Sequence, residues 1–119
     1  MIKAKRRGTR SEVTLVNLLE ERGYYAIRIP CSGNPKIPDV IGAKNGKRFA
    51  FAVKSTKSKR YRVKEDDLLS LLDFSCAFDT EAYLTVHFLR NGFRFYKING
   101  LTRFTTKSSD KGDFVEFSN

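Results

Sequence analysis

Residues 38–56, PDVIGAKNGKRFAFAVKST, decide the fold. Asn45-Gly46 is a strong hairpin signal, so DVIGAK (39–44) and KRFAFAVK (47–54) read as two antiparallel strands. The second alternates cleanly, with Phe49, Phe51 and Val53 on one face and Ala50, Ala52 and Lys54 on the other. A two-residue turn sets the register. It places Asp39 directly opposite Ala52, with Cβ atoms roughly 5 Å apart on one face. Lys54 points to that face too. A bulge between the turn and Asp39 would break this juxtaposition.

Upstream of the hairpin, YYAIRI (24–29) reads as a strand, and residues 30–38 form an irregular loop rich in Ser, Gly, Asn and Pro. Residues 11–22 carry a helical pattern, with Glu12, Leu15, Val16 and Leu19 on one face and Gly23 as the stop. Residues 1–10, MIKAKRRGTR, form a basic arm bearing Lys3, Lys5, Arg6, Arg7 and Arg10, of a kind that stays mobile until it meets phosphates. Downstream, a basic stretch from Lys54 to Lys64 leads into a second helix over roughly 64–78. Glu65, Asp66 and Asp67 stand in its first turn, where the helix dipole favours acids. Strands over 82–89 and 93–98 follow, separated by Asn91-Gly92, and residues 100–119 add at most short edge pieces. The order αβββαββ predicts a single α/β domain, a central mixed β-sheet flanked by helices.

The composition narrows the partners. A chain of 119 residues with 40% hydrophobic and 13% aromatic residues suits one globular domain. Its 23 Lys and Arg against 13 acids give a formal charge of +10, and such an excess points to a polyanion, nucleic acid before a membrane surface. No apolar run approaches the ~20 residues of a membrane span, and no signal peptide opens the chain. Cys31 and Cys76 suggest neither a disulfide framework nor a zinc site, so a cytoplasmic protein with free thiols is expected. His87, the one histidine, lies in a strand and reads as structural.

Glu12 is out of place on an apolar helical face, because a carboxylate there is desolvated unless something positive meets it. Asp39, beside Pro38 at the mouth of a strand, can join it. Two carboxylates and a lysine at a sheet edge suit a hard divalent cation and a phosphate. The bland alternative makes Glu12 a first-turn acid, Asp39 a turn cap and Lys54 a surface lysine.

Gly8-Thr-Arg-Ser-Glu12, Arg28-Ile-Pro30, Ser32, Pro38-Asp39, Val53-Lys54-Ser55-Thr56, and Leu72-Asp73-Phe74-Ser75 with Phe78 come in the order seen in archaeal Holliday junction resolvases, PD-(D/E)xK nucleases. The resemblance covers about residues 8–98, and its ordered set of landmarks is more specific than the short PD…xK pattern. It implies a restriction-endonuclease-like fold and a homodimer that resolves four-way DNA junctions by paired incisions. It also implies Mg²⁺, with Mn²⁺ as substitute, on Glu12, Asp39 and the Val53 carbonyl. Lys54 would position or activate the attacking water, with Arg28 and Ser32 near the scissile phosphate. The chain departs from the pattern at Ala52, where the family has Glu, and alanine cannot ligate a metal. This fits a deliberately disabled nuclease or a naturally inactive member; the intact Glu12, Asp39 and Lys54 favour the former.

Lys57, Lys59, Arg60 and Arg62, on a loop after the catalytic strand, join the N-terminal arm as expected phosphate contacts that recognise shape rather than sequence. Leu71, Phe74 and Phe78 supply a surplus apolar face on the second helix for a second copy. The competing functions are a related nuclease acting on other branched or damaged DNA, and a non-catalytic nucleic-acid-binding module, for which Ala52 speaks.

Overall fold

The computed structural model of the chain describes residues 2–30, 36–100 and 104–110, with the backbone alone for 2–7. Along the chain run α1 (Ile2–Glu21), β1 (Tyr25–Arg28), β2 (Val40–Lys44), β3 (Lys47–Thr56), β4 (Arg60–Arg62), α2 (Glu65–Phe78), β5 (Glu81–Phe88), β6 (Gly92–Ile98) and β7 (Thr105–Lys107). The hairpin forms in the expected register: Lys44 pairs with Lys47 and Val40 with Phe51. Asn45 and Gly46 both have positive φ, 54° and 80°, as a turn matching the twist of its strands requires. A five-stranded sheet results, in the order β1-β2-β3-β5-β6. Its pairs are antiparallel except β3–β5, the parallel pair that α2 bridges. The mixed sheet between helices is therefore as expected.

Alternation along β3 divides the core. Phe49 and Phe51 pack with Leu15 and Leu19 of α1, Tyr83 and Phe95 on one face, and Val53 packs at the margin. Ala50 and Ala82 leave room for α2 on the other face, where Leu68, Leu71 and Phe74 meet Leu84, Val86 and Phe88. Each fully buried leucine or phenylalanine contributes on the order of 1.5–3 kcal/mol relative to exposure, so both faces hold their helices firmly.

Three expectations need correction. Helix α1 begins at Ile2 rather than Ser11, so the backbone of the basic arm belongs to the helix. Lys, Arg and Ala are strong helix formers, and the apolar periodicity marks only the part that packs, not where the helix starts. The stretch 54–64 is not one loop: β3 runs on to Thr56, and residues 60–62 form β4, paired antiparallel with β7 from the poorly patterned tail. Short edge strands of this kind carry almost no periodic signal. Finally, Leu71 (3% exposed) and Phe74 (9%) belong largely to their own core, although Phe74 still lines an apolar groove beside Phe78. Phe78 remains 63% exposed, its ring stacked on Phe74 at 4.3 Å.

His87 has a structural setting. Its Nδ1 lies 2.7 Å from the buried Ser11 hydroxyl and its ring stacks on Phe93. Burial pulls its pKa below the ordinary value. No helix among the described residues is long and apolar enough to cross a membrane.

Candidate active site

Asp39 is fixed where the β2–β3 ladder ends. Its N–H donates to the Phe51 carbonyl at 3.0 Å, and its own carbonyl accepts the Ile29 N–H at 2.9 Å. Its carboxylate Oδ2 accepts the Val53 N–H at 2.7 Å. The ladder pairing ends at Val40 and Phe51, and Asp39 turns its N–H to β3 and its carbonyl to β1, so the regular register does not run on through it.

Asp39 and Ala52 nevertheless line one cavity of about 180 Å³, with Pro38, Lys54, Asp66 and Asp67. They share a pocket without the direct strand pairing that the hairpin turn predicts. Asp66 and Asp67 come from the first turn of α2. Lys54 Nζ lies 3.0 Å from Asp67 Oδ1, an ion pair with side chains only 32% and 17% exposed. Sequence reasoning missed Asp67 by assigning it to the helix dipole alone. A signal was there: Asp67 stands four residues before Leu71 and seven before Phe74, on the stripe that packs against the sheet. It also keeps a capping role, since its Oδ2 accepts the Lys64 N–H at 3.4 Å.

Glu12 approaches from the other face. With α1 starting at Ile2, it is a mid-helix residue, not a first-turn acid. Its Oε1 accepts a hydrogen bond from Arg28 Nε at 2.9 Å, the positive partner its apolar surroundings demand. The side chains of Lys3, Lys5, Arg6 and Arg7, and Ser32 as a whole, lie outside what the structure describes. Arg10, Lys57, Lys59, Arg60 and Arg62 are all exposed.

Electrostatics tie the groups together. Burial pushes the Asp39 carboxyl above its ordinary pKa, against the downward pull of the Val53 N–H, Lys54 and Arg28, while Asp67 adds to the rise. Glu12 is likewise raised, first by burial and then by Asp39, with Arg28 opposing. Burial pulls Lys54 down, but Asp67, Tyr61 and Asp39 together leave it above the usual lysine value, so it is firmly cationic.

Family chemistry implies a divalent ion, and the donors were tested against one. Among the described residues no three His, Cys, Asp or Glu side chains form a metal-binding group. One oxygen of Asp39 is committed to Val53, Glu12 to Arg28 and Asp67 to Lys54. As it stands, the set does not fit a tightly held ion. Ala52, which lines the cavity with Asp39, contributes no side-chain donor.

A mixed sheet with helices on both faces, an Asp at the end of one hairpin strand and a Lys on the next, defines a restriction-endonuclease-like nuclease fold. More narrowly, the chain belongs to the archaeal Holliday junction resolvase family, whose model matches residues 3–113. Crossover junction endodeoxyribonuclease Hjc of Archaeoglobus fulgidus is 31% identical over 101 residues, 83% of this chain and 74% of that protein. Hje of Saccharolobus solfataricus is 36% identical over 74 residues, 60% of this chain and 54% of that protein. The solved structure of the Archaeoglobus fulgidus Hjc, a Holliday junction resolvase, superposes with a TM-score of 0.71 at 26% identity, covering 87% of this chain and 85% of that one.

Proposed function

We propose that the chain is a structure-selective, four-way-junction endonuclease of the cytoplasm, working as a homodimer and disabled in cleavage by Ala52. The observation that carries this reading is the convergence of Asp39, position 52 and Lys54 on one cavity. With a carboxylate restored at 52, Asp39, that carboxylate and the Val53 carbonyl would hold Mg²⁺ or Mn²⁺, with Glu12 contributing from α1. The ion would supply an activated water and a Lewis acid. Lys54 would stabilise charge growing on the phosphate, and Arg28 and Ser32 would orient it. Arg10 on α1 and Lys57, Lys59, Arg60 and Arg62 around β4 would grip backbone phosphates at two places, joined by Lys3, Lys5, Arg6 and Arg7.

The second copy is proposed to dock on an apolar groove around Phe78. Tyr25 (85% exposed), Ile27 (62%) and Ile41 form its opposite wall. Burying such a patch is a common reason for a symmetric pair. Sedimentation of the native chain should give a dimer and of Ile27→Ala/Phe78→Ala a monomer; a monomeric native mass removes the dimer.

The functional reading is tested by titrating labelled four-way junctions and linear duplexes of equal length. Preference for the junction is expected throughout, with affinity falling steeply between about 50 and about 200 mM salt as phosphate contacts release counterions. Equal affinity for both DNAs would remove the junction selectivity.

A further inference from the structure

Lys54 does not stand alone in the cavity. Asp67, which holds its ammonium through Oδ1, also accepts the Lys64 N–H at 3.4 Å through Oδ2. Asp67 is nearly buried, whereas Glu65 and Asp66 beside it are exposed, so its inward turn is specific to this position. Tyr61 is the central residue of β4. It pairs with Thr106 of β7, whose hydroxyl donates to the Tyr61 carbonyl at 3.0 Å. Its neighbours Arg60 and Arg62 are the exposed cations of the same strand. Strand β7 is tied in turn to β6 through Asp110, which accepts the Tyr96 hydroxyl at 2.8 Å and the Lys107 N–H at 2.9 Å. The basic strand thus packs on the helix that carries Asp67, with Tyr61 against the cluster that includes Leu68 and Leu71.

We propose that Asp67 is a positioning residue for Lys54, holding its ammonium over the cavity beside Asp39 and position 52. The proposal rests on the nuclease reading for its catalytic consequence. A lysine is a point charge on a flexible stem, so without a fixed counter-charge it would sample many places around the pocket. Asp67 supplies that charge from the rigid first turn of α2.

A mere helix cap would act differently. Asn at 67 can still accept the Lys64 N–H, so Asp67→Asn keeps the cap and removes the charge. The first experiment uses the native chain: brief acylation with acetic anhydride, with Lys54 modification read by mass spectrometry against exposed Lys57 and Lys59. Asp67→Asn should raise Lys54 reactivity about fivefold, since a paired ammonium is both held and kept protonated. Unchanged Lys54 reactivity in Asp67→Asn overturns the proposal. The second uses the Ala52→Glu background at saturating junction. Asp67→Asn should slow cleavage about tenfold with junction affinity unchanged, and Asp67→Glu should recover part of the rate. Equal rates with and without Asp67 also overturn it. An inert Ala52→Glu chain defeats the nuclease reading instead, and Lys54 reactivity then decides alone whether Asp67 holds the amine.

Discussion

Two ion pairs flank Asp39, one on each face of the sheet. Glu12–Arg28 joins α1 to β1 at 2.9 Å, and Lys54–Asp67 joins β3 to α2 at 3.0 Å. Their exposures are almost the same, 31% and 17% against 32% and 17%. The roles are reversed. In the first pair the acid is the proposed working group and the cation keeps it charged; in the second the cation works and the acid keeps it. Asp39 between them accepts the Val53 N–H, and burial pushes its carboxyl up against the pull of that N–H, Lys54 and Arg28. Charged groups at a sheet edge are thus placed by partners from separate elements, and the site is assembled only when both helices dock.

The widest test of that symmetry is at Lys54. In the Ala52→Glu background, Lys54→Ala should lower the cleavage rate at saturating DNA by about 10²–10³-fold, the scale of removing one stabilising donor from a phosphoryl site. Junction affinity should change far less. A rate near that of the parent would show that the second pair is structural on both sides.

At the first pair the effect is smaller and appears in stability. Arg28→Ala leaves Glu12 part-buried without its cation, and after allowance for the pair's partial exposure the loss is about 1–2 kcal/mol. Urea denaturation at neutral pH measures it, and an unchanged midpoint would mean that α1 does not depend on the pair.

The smallest effect has the opposite sign. A carboxyl whose folded pKa lies above its unfolded value contributes stability that is complete below the unfolded pKa and lost as pH rises through the folded one. At neutral pH charged Asp39 therefore destabilises the fold. Asp39→Asn, able to accept the Val53 N–H as before, should melt a few degrees higher at pH 7 and converge with the native chain in acid. A lower melting temperature at pH 7 would show that Asp39 is held by more than that N–H.

The difference between the pairs also marks what the sequence could disclose. Glu12 stood out because it broke an apolar stripe beside Leu15 and Leu19, and the hairpin pattern pointed to Asp39, Ala52 and Lys54, which line one cavity although Asp39 leaves the regular register. Asp67 breaks a stripe in the same way, ahead of Leu71 and Phe74, but a first-turn acid has an ordinary explanation at a helix N-terminus, and that masked it. Arg28 was legible as a family landmark, yet its bond to Glu12 spans 16 residues of chain and is set by docking of α1 on β1, which no local pattern encodes. Tyr61 was hidden for a related reason. A three-residue strand has no periodicity, and its partner lies in β7, some 45 residues further on. The surplus of apolar residues on α2 was visible, but only packing could show that Ala50 and Ala82 let Leu71 and Phe74 sink into the core, leaving Phe78 outside.

The most direct test of the disabled-nuclease reading is a time course on labelled four-way junctions with Mg²⁺ or Mn²⁺ at saturating protein. It compares the native chain, Ala52→Glu, and Ala52→Glu with Asp39→Ala. The native chain should bind the junction and leave it intact, Ala52→Glu should cut it, and the added Asp39→Ala should abolish cutting again. Cleavage by the native chain as fast as by Ala52→Glu would contradict this, as would an Ala52→Glu protein that binds junctions and stays inert with both metals.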